Sequence, residues 1–178
     1  MNNLEQEARE FAREAHKGQF RKYKNEPYIE HPIRVAYIVS TVAHTTEMIC
    51  AAYLHDVVED TPVSIEEIQD RFGDKVASYV QELTDVYIKN DYPHLNRKKR
   101  KEKEVERLSA ISKEAKTIKL ADVIDNTRDI VENDKGFARK YVPEMEALVQ
   151  ALQGGDFKLL MKACYEVEHG KNILKQFK

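Results

Sequence analysis

The apolar residues of this chain recur at three- and four-residue intervals along almost its whole length, and no stretch alternates as a strand would. That regularity confines the fold to helices packed on helices. Leu4, Ala8, Phe11, Ala12 and Ala15 form the first stripe, and Gly18 supplies a stop signal. Residues 18–30 (GQFRKYKNEPYIE) interrupt the period and read as a basic loop, with Arg21, Lys22 and Lys24 ahead of Pro27. Pro32 suits the first turn of a second helix, faced by Val35, Ile38, Val39 and Val42. A third helix is expected from about Thr46, as its cap, to His55–Asp56, with HDVVED (55–60) continuing it. Ser64-Ile-Glu-Glu67 has the form of a capping box, and Asp74 is the expected cap of the helix after it. Residues 85–96 read as a loop and 97–108 (RKKRKEKEVERL) as a strongly charged helix. Further helices are expected over 114–132 and about 137–152, and Asp156 should cap the last. At the usual length of ~10–14 residues per helix, roughly seven to nine helices result.

The 178 residues match one ordinary domain, and neither a linker nor a long repeat divides them. The expected fold is therefore all-α, a single-domain helical bundle spanning 1–178. A net charge of −2 argues against a general nucleic-acid or membrane-surface partner, so any anion site must be a local cluster of basic side chains. No apolar run approaches the roughly 18 residues of a membrane span. The polar start, MNNLEQEAREF, is unlike a signal peptide. Cys50 and Cys164 lack paired zinc-ligand spacing and do not make a disulfide framework, which points to a reduced, cytoplasmic protein.

The chemistry concentrates in two places. In HDVVED, His55 and Glu59 are four apart, Asp56 and Asp60 are four apart, and Asp56 and Glu59 are three apart, so these groups crowd one side of a helix. The stretch before them, ICAAYL, is apolar and leads into a core, where ionisable groups are costly to bury without a partner. A divalent cation would partner them, since neutral imidazole and carboxylate are its natural ligands. The ordinary alternative is a helix end that shows acidic residues to solvent. In KLADVIDNTRD (119–129), Asp122, Asp125, Asn126 and Asp129 again share a helix face. Leu120, Ala121 and Ile124 draw Asp122 toward the core, while Asp125 and Asp129 read equally as solvated or capping groups. His31, between the basic loop and a helix, is as readily a capping or packing residue as a ligand, and spacing alone does not join the three segments.

The order of the segments does. RKYKNEPYIEHPIRVA (21–36), AAYLHDVVEDT (51–61), FGDKVASYVQELTD (72–85), LNRKKRKE (95–102) and KLADVIDNTRD (119–129) resemble the HD-domain phosphohydrolases, and within them the RelA/SpoT-type guanosine tetraphosphate hydrolases. The likeness covers about 5–130, leaving a less characteristic helical part at 131–178, and the length is similar to that of the stand-alone small alarmone hydrolases, such as the metazoan SpoT homologue. The resemblance implies one divalent cation, typically Mn2+, held by His31, His55, Asp56 and Asp122, with Glu59 and Asp60 orienting and activating the attacking water. It implies nucleotide contacts from Arg21, Lys22 and Tyr28 in the basic loop, and from Asn126 and Arg128 in the last motif. Arg97 and Lys98 are expected to reach phosphate, against the reading of that helix as a solvated face; Tyr141 is matched to a tyrosine near the base or ribose. The last motif departs from the family by reading Val-Ile-Asp-Asn, so that Asp125 adds a negative charge beside the presumed pocket.

The implied reaction is metal-dependent removal of the 3′-pyrophosphate of guanosine tetra- or pentaphosphate, leaving GDP or GTP. Three rivals stay open at this point. One is an HD phosphatase for NADPH or a nucleoside monophosphate; another is a metal-stabilised nucleotide-binding module without turnover, against which the Glu59–Asp60 pair argues; the third is a plain helical interaction protein with no metal. The expected partner is a small nucleotide, with no nucleic acid and no membrane, and a homodimer is left open.

Overall fold

Caps decide where these helices begin. In the computed structural model, which describes residues 2–176, α1 (Asn3–Ala15) starts at Asn2, whose side chain accepts from Glu5 N while Glu5 returns a bond to Asn2 N. Helix α2 (Glu30–Ser40) follows the basic loop, and α3 (Thr46–Leu54) is capped by Thr45, one residue earlier than expected. After the single turn α4 (Val57–Asp60), Ser64 caps α5 (Ile65–Phe72) by accepting from Glu67 N. Helix α6 (Asp74–Leu83) corrects the expected Asp74 cap. The cap residue is Gly73, at φ 86°, a left-handed conformation that glycine adopts without strain, and Asp74 is already helical, accepting from Gln69 Nε2. Asn96, Ser112 and Asp134 cap α7 (Arg97–Ser109), α8 (Lys113–Asn133) and α9 (Lys135–Ala151). Asp156 Oδ1 accepts from Lys158 N and Leu159 N at the start of α10 (Phe157–Gln176). Nine of the ten helical segments among the described residues have eight residues or more. The expected all-α fold is borne out: the extended pairing found among them is an isolated bridge, Phe20 to Pro27, which closes the basic loop on itself.

The expected continuous helix through 55–60 is not. Helix α3 ends at Leu54, His55 and Asp56 form a turn, and α4 sets off anew. His55 Nδ1 lies 2.9 Å from Ala52 O, one of the last carbonyls of α3, and so satisfies an acceptor that the ending helix would leave open. No glycine or proline marks this break.

Two helices form the centre. Every residue of α3 from Met48 to Leu54 is buried, and α3 packs on α1, α2, α6 and α8. Helix α8 has α2, α3, α6, α9 and α10 around it, and burial along it runs from Ala115 to Val131. Helix α10 closes on this core through Gly170, where an added Cβ would lie 3.0 Å from Val131 Cγ2. No helix among the described residues is long and apolar enough to cross a membrane.

Candidate metal centre

Three buried elements deliver their polar groups to one point. His31 is the second residue of α2, His55 and Asp56 occupy the turn between α3 and α4, and Asp122 lies midway along α8. His31 Nε2 is 3.2 Å from Asp122 Oδ1 and 3.6 Å from Asp56 Oδ2. His55 Nε2 is 3.2 Å from Asp56 Oδ2 and 3.8 Å from Asp122 Oδ1. The ligand atoms of His31, His55 and Asp122 all lie within 4.8 Å of one another, with the two imidazoles edge to face.

The other ring nitrogens are occupied. His55 Nδ1 faces Ala52 O, which can only accept, and His31 Nδ1 lies 2.7 Å from Asp125 Oδ2. Protons on both Nδ1 atoms leave both Nε2 lone pairs facing the gap. Each Nε2 is buried and has no hydrogen-bond partner. Acceptors thus face acceptors, an arrangement that needs a positive charge between them. The donor set fits a divalent cation: two neutral imidazoles, the Asp122 carboxylate and, in the same gap, Asp56 Oδ2. Asp56 Oδ2 also accepts from Tyr28 OH at 2.7 Å, within the capacity of a carboxylate oxygen.

The electrostatics point the same way. Burial lowers the pKa of the His31 imidazole, but Asp122 and Asp125 outweigh it and lift the ring to about 9. Proton and cation therefore compete for the same lone pairs. Burial would raise the Asp122 carboxyl; Lys119, with Nζ 2.9 Å away, and the two histidines hold it well below the usual carboxylate range.

Beside this cluster opens a cavity of about 220 Å3, lined among others by Tyr28, Asp56, Glu59, Asp60, Asp122, Asn126 and Tyr141. Solvent still reaches Glu59, yet protein crowds its carboxyl on most sides. Burial and the Asp85 charge push it up to about 7, against the pull of Lys119, and it accepts from Asp85 N at 3.1 Å. Burial and Asp56 likewise raise the Asp60 carboxyl. Asn126 Nδ2 donates to Asp122 Oδ1.

The basic residues expected to meet substrate divide. Arg21 stands behind the cavity wall, donating to Asp129 Oδ2 and to Asn126 Oδ1. Lys22 lies exposed over the rings of Tyr23 and Phe137. Arg97 is bound through two bonds to Glu144, and with Lys98, Lys101 and Lys140 it lines a second cleft of about 540 Å3. That cleft shares Lys101, Val105 and Glu144 with the cavity. Arg128 is not brought to the cavity. Its guanidinium pairs with Glu166 on α10, at a separate cavity between α8 and α10, because residue 128 is on the side of α8 turned from Asp122.

Lys119, Asp85 and Lys101, which line the cavity, were missed, and Asp125, expected beside the pocket, stands behind His31 instead. Lys119 had a signal, three residues before Asp122 on one helix face; the others are joined to the site by folding alone. Asp125 and Asp129, open to a solvated reading, are both buried, each held by at least one cation.

The family model described as HD domain matches residues 8–150. The guanosine-3′,5′-bis(diphosphate) 3′-pyrophosphohydrolase MESH1 of Drosophila melanogaster is 36% identical over 164 residues, 88% of each chain. MESH1 of Homo sapiens is 37% identical over 161 residues, covering 86% of this chain and 87% of its own. A solved structure of a metazoan orthologue of SpoT, described as hydrolysing ppGpp and acting in starvation responses, superposes with a TM-score of 0.84 at 31% identity, over 95% of this chain and 96% of that one. By the extent of these matches and the motifs that lie within them, this chain belongs to the HD-domain family.

Proposed function

We propose that the protein hydrolyses guanosine 3′,5′-bis(diphosphate) and its pentaphosphate counterpart at the 3′ position, releasing pyrophosphate and GDP or GTP, and that residues 1–178 act as one hydrolase domain. One observation carries the reading: two partnerless imidazole nitrogens and two carboxylates face each other beside a carboxyl held at about 7. The names of the relatives favour this substrate over NADPH or a nucleoside monophosphate.

His31, His55, Asp56 and Asp122 would hold one divalent cation. Mn2+ suits a donor set divided between imidazole and carboxylate and is the ion the family resemblance implies. When bound, the cation supplies Lewis-acid polarisation of a phosphate oxygen. Glu59, ionised above about 7, accepts the proton of the attacking water, and Asp60 helps to orient that water. The water oxygen bonds to the 3′-linked phosphorus, the bond from that phosphorus to the ribose 3′ oxygen breaks, and the 3′ oxygen gains a proton. Tyr28 keeps Asp56 oriented through its hydroxyl. Asn126 and Tyr141 line the nucleotide side of the cavity, and Arg97 and Lys98 meet the remaining phosphates through the adjoining cleft. Arg21 acts through Asn126, and Lys22 from the rim. The two free cysteines suit a reducing compartment such as the cytoplasm.

The test is a substrate panel with added Mn2+, comparing ppGpp, pppGpp, NADPH and nucleoside monophosphates, and separating pyrophosphate from phosphate release. Pyrophosphate should appear from the first two. Turnover confined to NADPH or the monophosphates would refute the assignment.

A further inference from the structure

Asp125 lies within the motif that supplies Asp122, yet it does not line the cavity. It is buried, and both of its oxygens are engaged. Oδ2 is 2.7 Å from His31 Nδ1, and Oδ1 accepts from Arg34 Nε at 2.7 Å. Arg34 in turn reaches Glu26 Oε1 at 2.6 Å, on the basic loop. A chain of alternating charge thus runs from the loop through α2 and α8 to the back of one imidazole. The partner histidine has no such support: behind His55 stands a neutral carbonyl, Ala52 O.

We infer that Asp125, with Arg34 as its counter-ion, is a positioning residue that sets the cation affinity of the centre by acting through His31. The inference rests on the metal-centre reading given above. A carboxylate behind a ligating imidazole fixes the proton on Nδ1, aims the Nε2 lone pair and makes the ring a stronger donor. Asp125 has the distance and burial for this. Its charge also answers a difficulty: beside a site for a polyanion, an extra carboxylate would repel substrate. Facing away from the cavity and neutralised by Arg34, it acts on the imidazole and not on the phosphates. Arg34 is 35% exposed, so its charge is partly screened by water while Asp125 stays enclosed.

The experiment measures the Mn2+ dissociation constant of the full chain by competition with a metal-sensitive chelator dye, alongside the melting temperature of the metal-free protein. Asp125→Asn keeps the shape and removes the charge; its Kd should rise about tenfold or more. Arg34→Gln keeps a donor to Asp125 and removes the opposing positive charge, so Mn2+ should bind about two- to fivefold tighter. A merely structural role for the pair would move both variants the same way, toward weaker binding. The inference is overturned if Asp125→Asn binds within about twofold of wild type, or if both variants lose affinity. Should Asp125→Asn not fold, Arg34→Gln still decides, because Arg34 is at the surface: tightening supports the inference and loss of affinity overturns it. Failure of the unsubstituted protein to bind Mn2+ is a separate result, and it removes the metal centre itself along with this inference.

Discussion

The metal end of the cavity and the basic groups beside and behind it are charged on opposite principles. At the metal end, acceptors converge on one gap: His31 Nε2 and His55 Nε2 are buried without hydrogen-bond partners, and two carboxylates face them, supported from outside the gap by Tyr28, Asn126 and Lys119. At the basic end, the guanidinium groups are already spoken for. Arg97 is bound to Glu144, and Arg21 to Asp129 and Asn126. The first end is a deficit of positive charge that one cation would fill. The two guanidinium groups of the second are balanced, so a phosphate group must displace an internal carboxylate or amide oxygen before either of them gives it a bond. Loss of a metal ligand should therefore be severe, while loss of any one phosphate contact should be mild.

The largest effect is expected for His55→Ala, which removes one of the facing lone pairs. Mn2+ content should fall away by elemental analysis, and turnover by about a thousandfold or more, since a bound cation contributes several kcal/mol to such reactions. Glu59→Gln tests the other function of the same end. It should retain Mn2+ yet lower kcat by about 10^2–10^4-fold, the usual contribution of a positioned base. The sign of the pH dependence follows from the raised carboxyl: Glu59 is an effective base only when ionised, so the rate should climb as pH rises through about 7 and fall below it. Burial, then Asp85 and Asp56, raise this midpoint, and Lys119 lowers it. In Glu59→Gln that limb should vanish, and its persistence would assign the titration to another group.

At the basic end, Arg97→Ala should raise KM for guanosine tetraphosphate by about three- to tenfold, because the contact it removes is partly offset by Glu144. Steady-state kinetics at two salt concentrations would read this, and a loss in kcat as large as that of Glu59→Gln would break the contrast between the two ends. The smallest effect belongs to Arg128→Ala. Its partner is Glu166, away from the cavity, so kcat/KM should stay within about twofold while stability falls by about 1–3 kcal/mol, because the buried Glu166 carboxylate loses the half-exposed arginine that satisfies it. A tenfold loss in kcat/KM would return Arg128 to the substrate side.

The helices were legible because their stripes are local, and the candidate ligands because their motifs keep a fixed order. What escaped was decided by partners distant in sequence. The break at His55–Asp56 carries no glycine or proline; it follows from His55 bonding Ala52 O and from Asp56 turning toward Tyr28 and the histidines. Asp125 could be a solvated group in sequence because nothing announces that His31, 94 positions earlier, lies against it. Arg128 shows the converse. The motif that contains it sends Asp122 and Asn126 to the cavity, but helical geometry turns every third or fourth residue inward and the rest elsewhere, and α10 was waiting with Glu166.

Helix α8 bears Lys119, Asp122, Asp125, Asn126 and Asp129 within three turns, enclosed by five other helices. Five roles thus share one rigid rod and cannot be adjusted separately. A single inserted residue anywhere in its first half would swing the groups beyond it by about 100°, emptying the cavity of its carboxylate and amide together and driving apolar neighbours into their place. Length variation in this protein is therefore expected to collect in segments such as 85–96, whereas the register of this rod admits point substitutions but neither additions nor deletions.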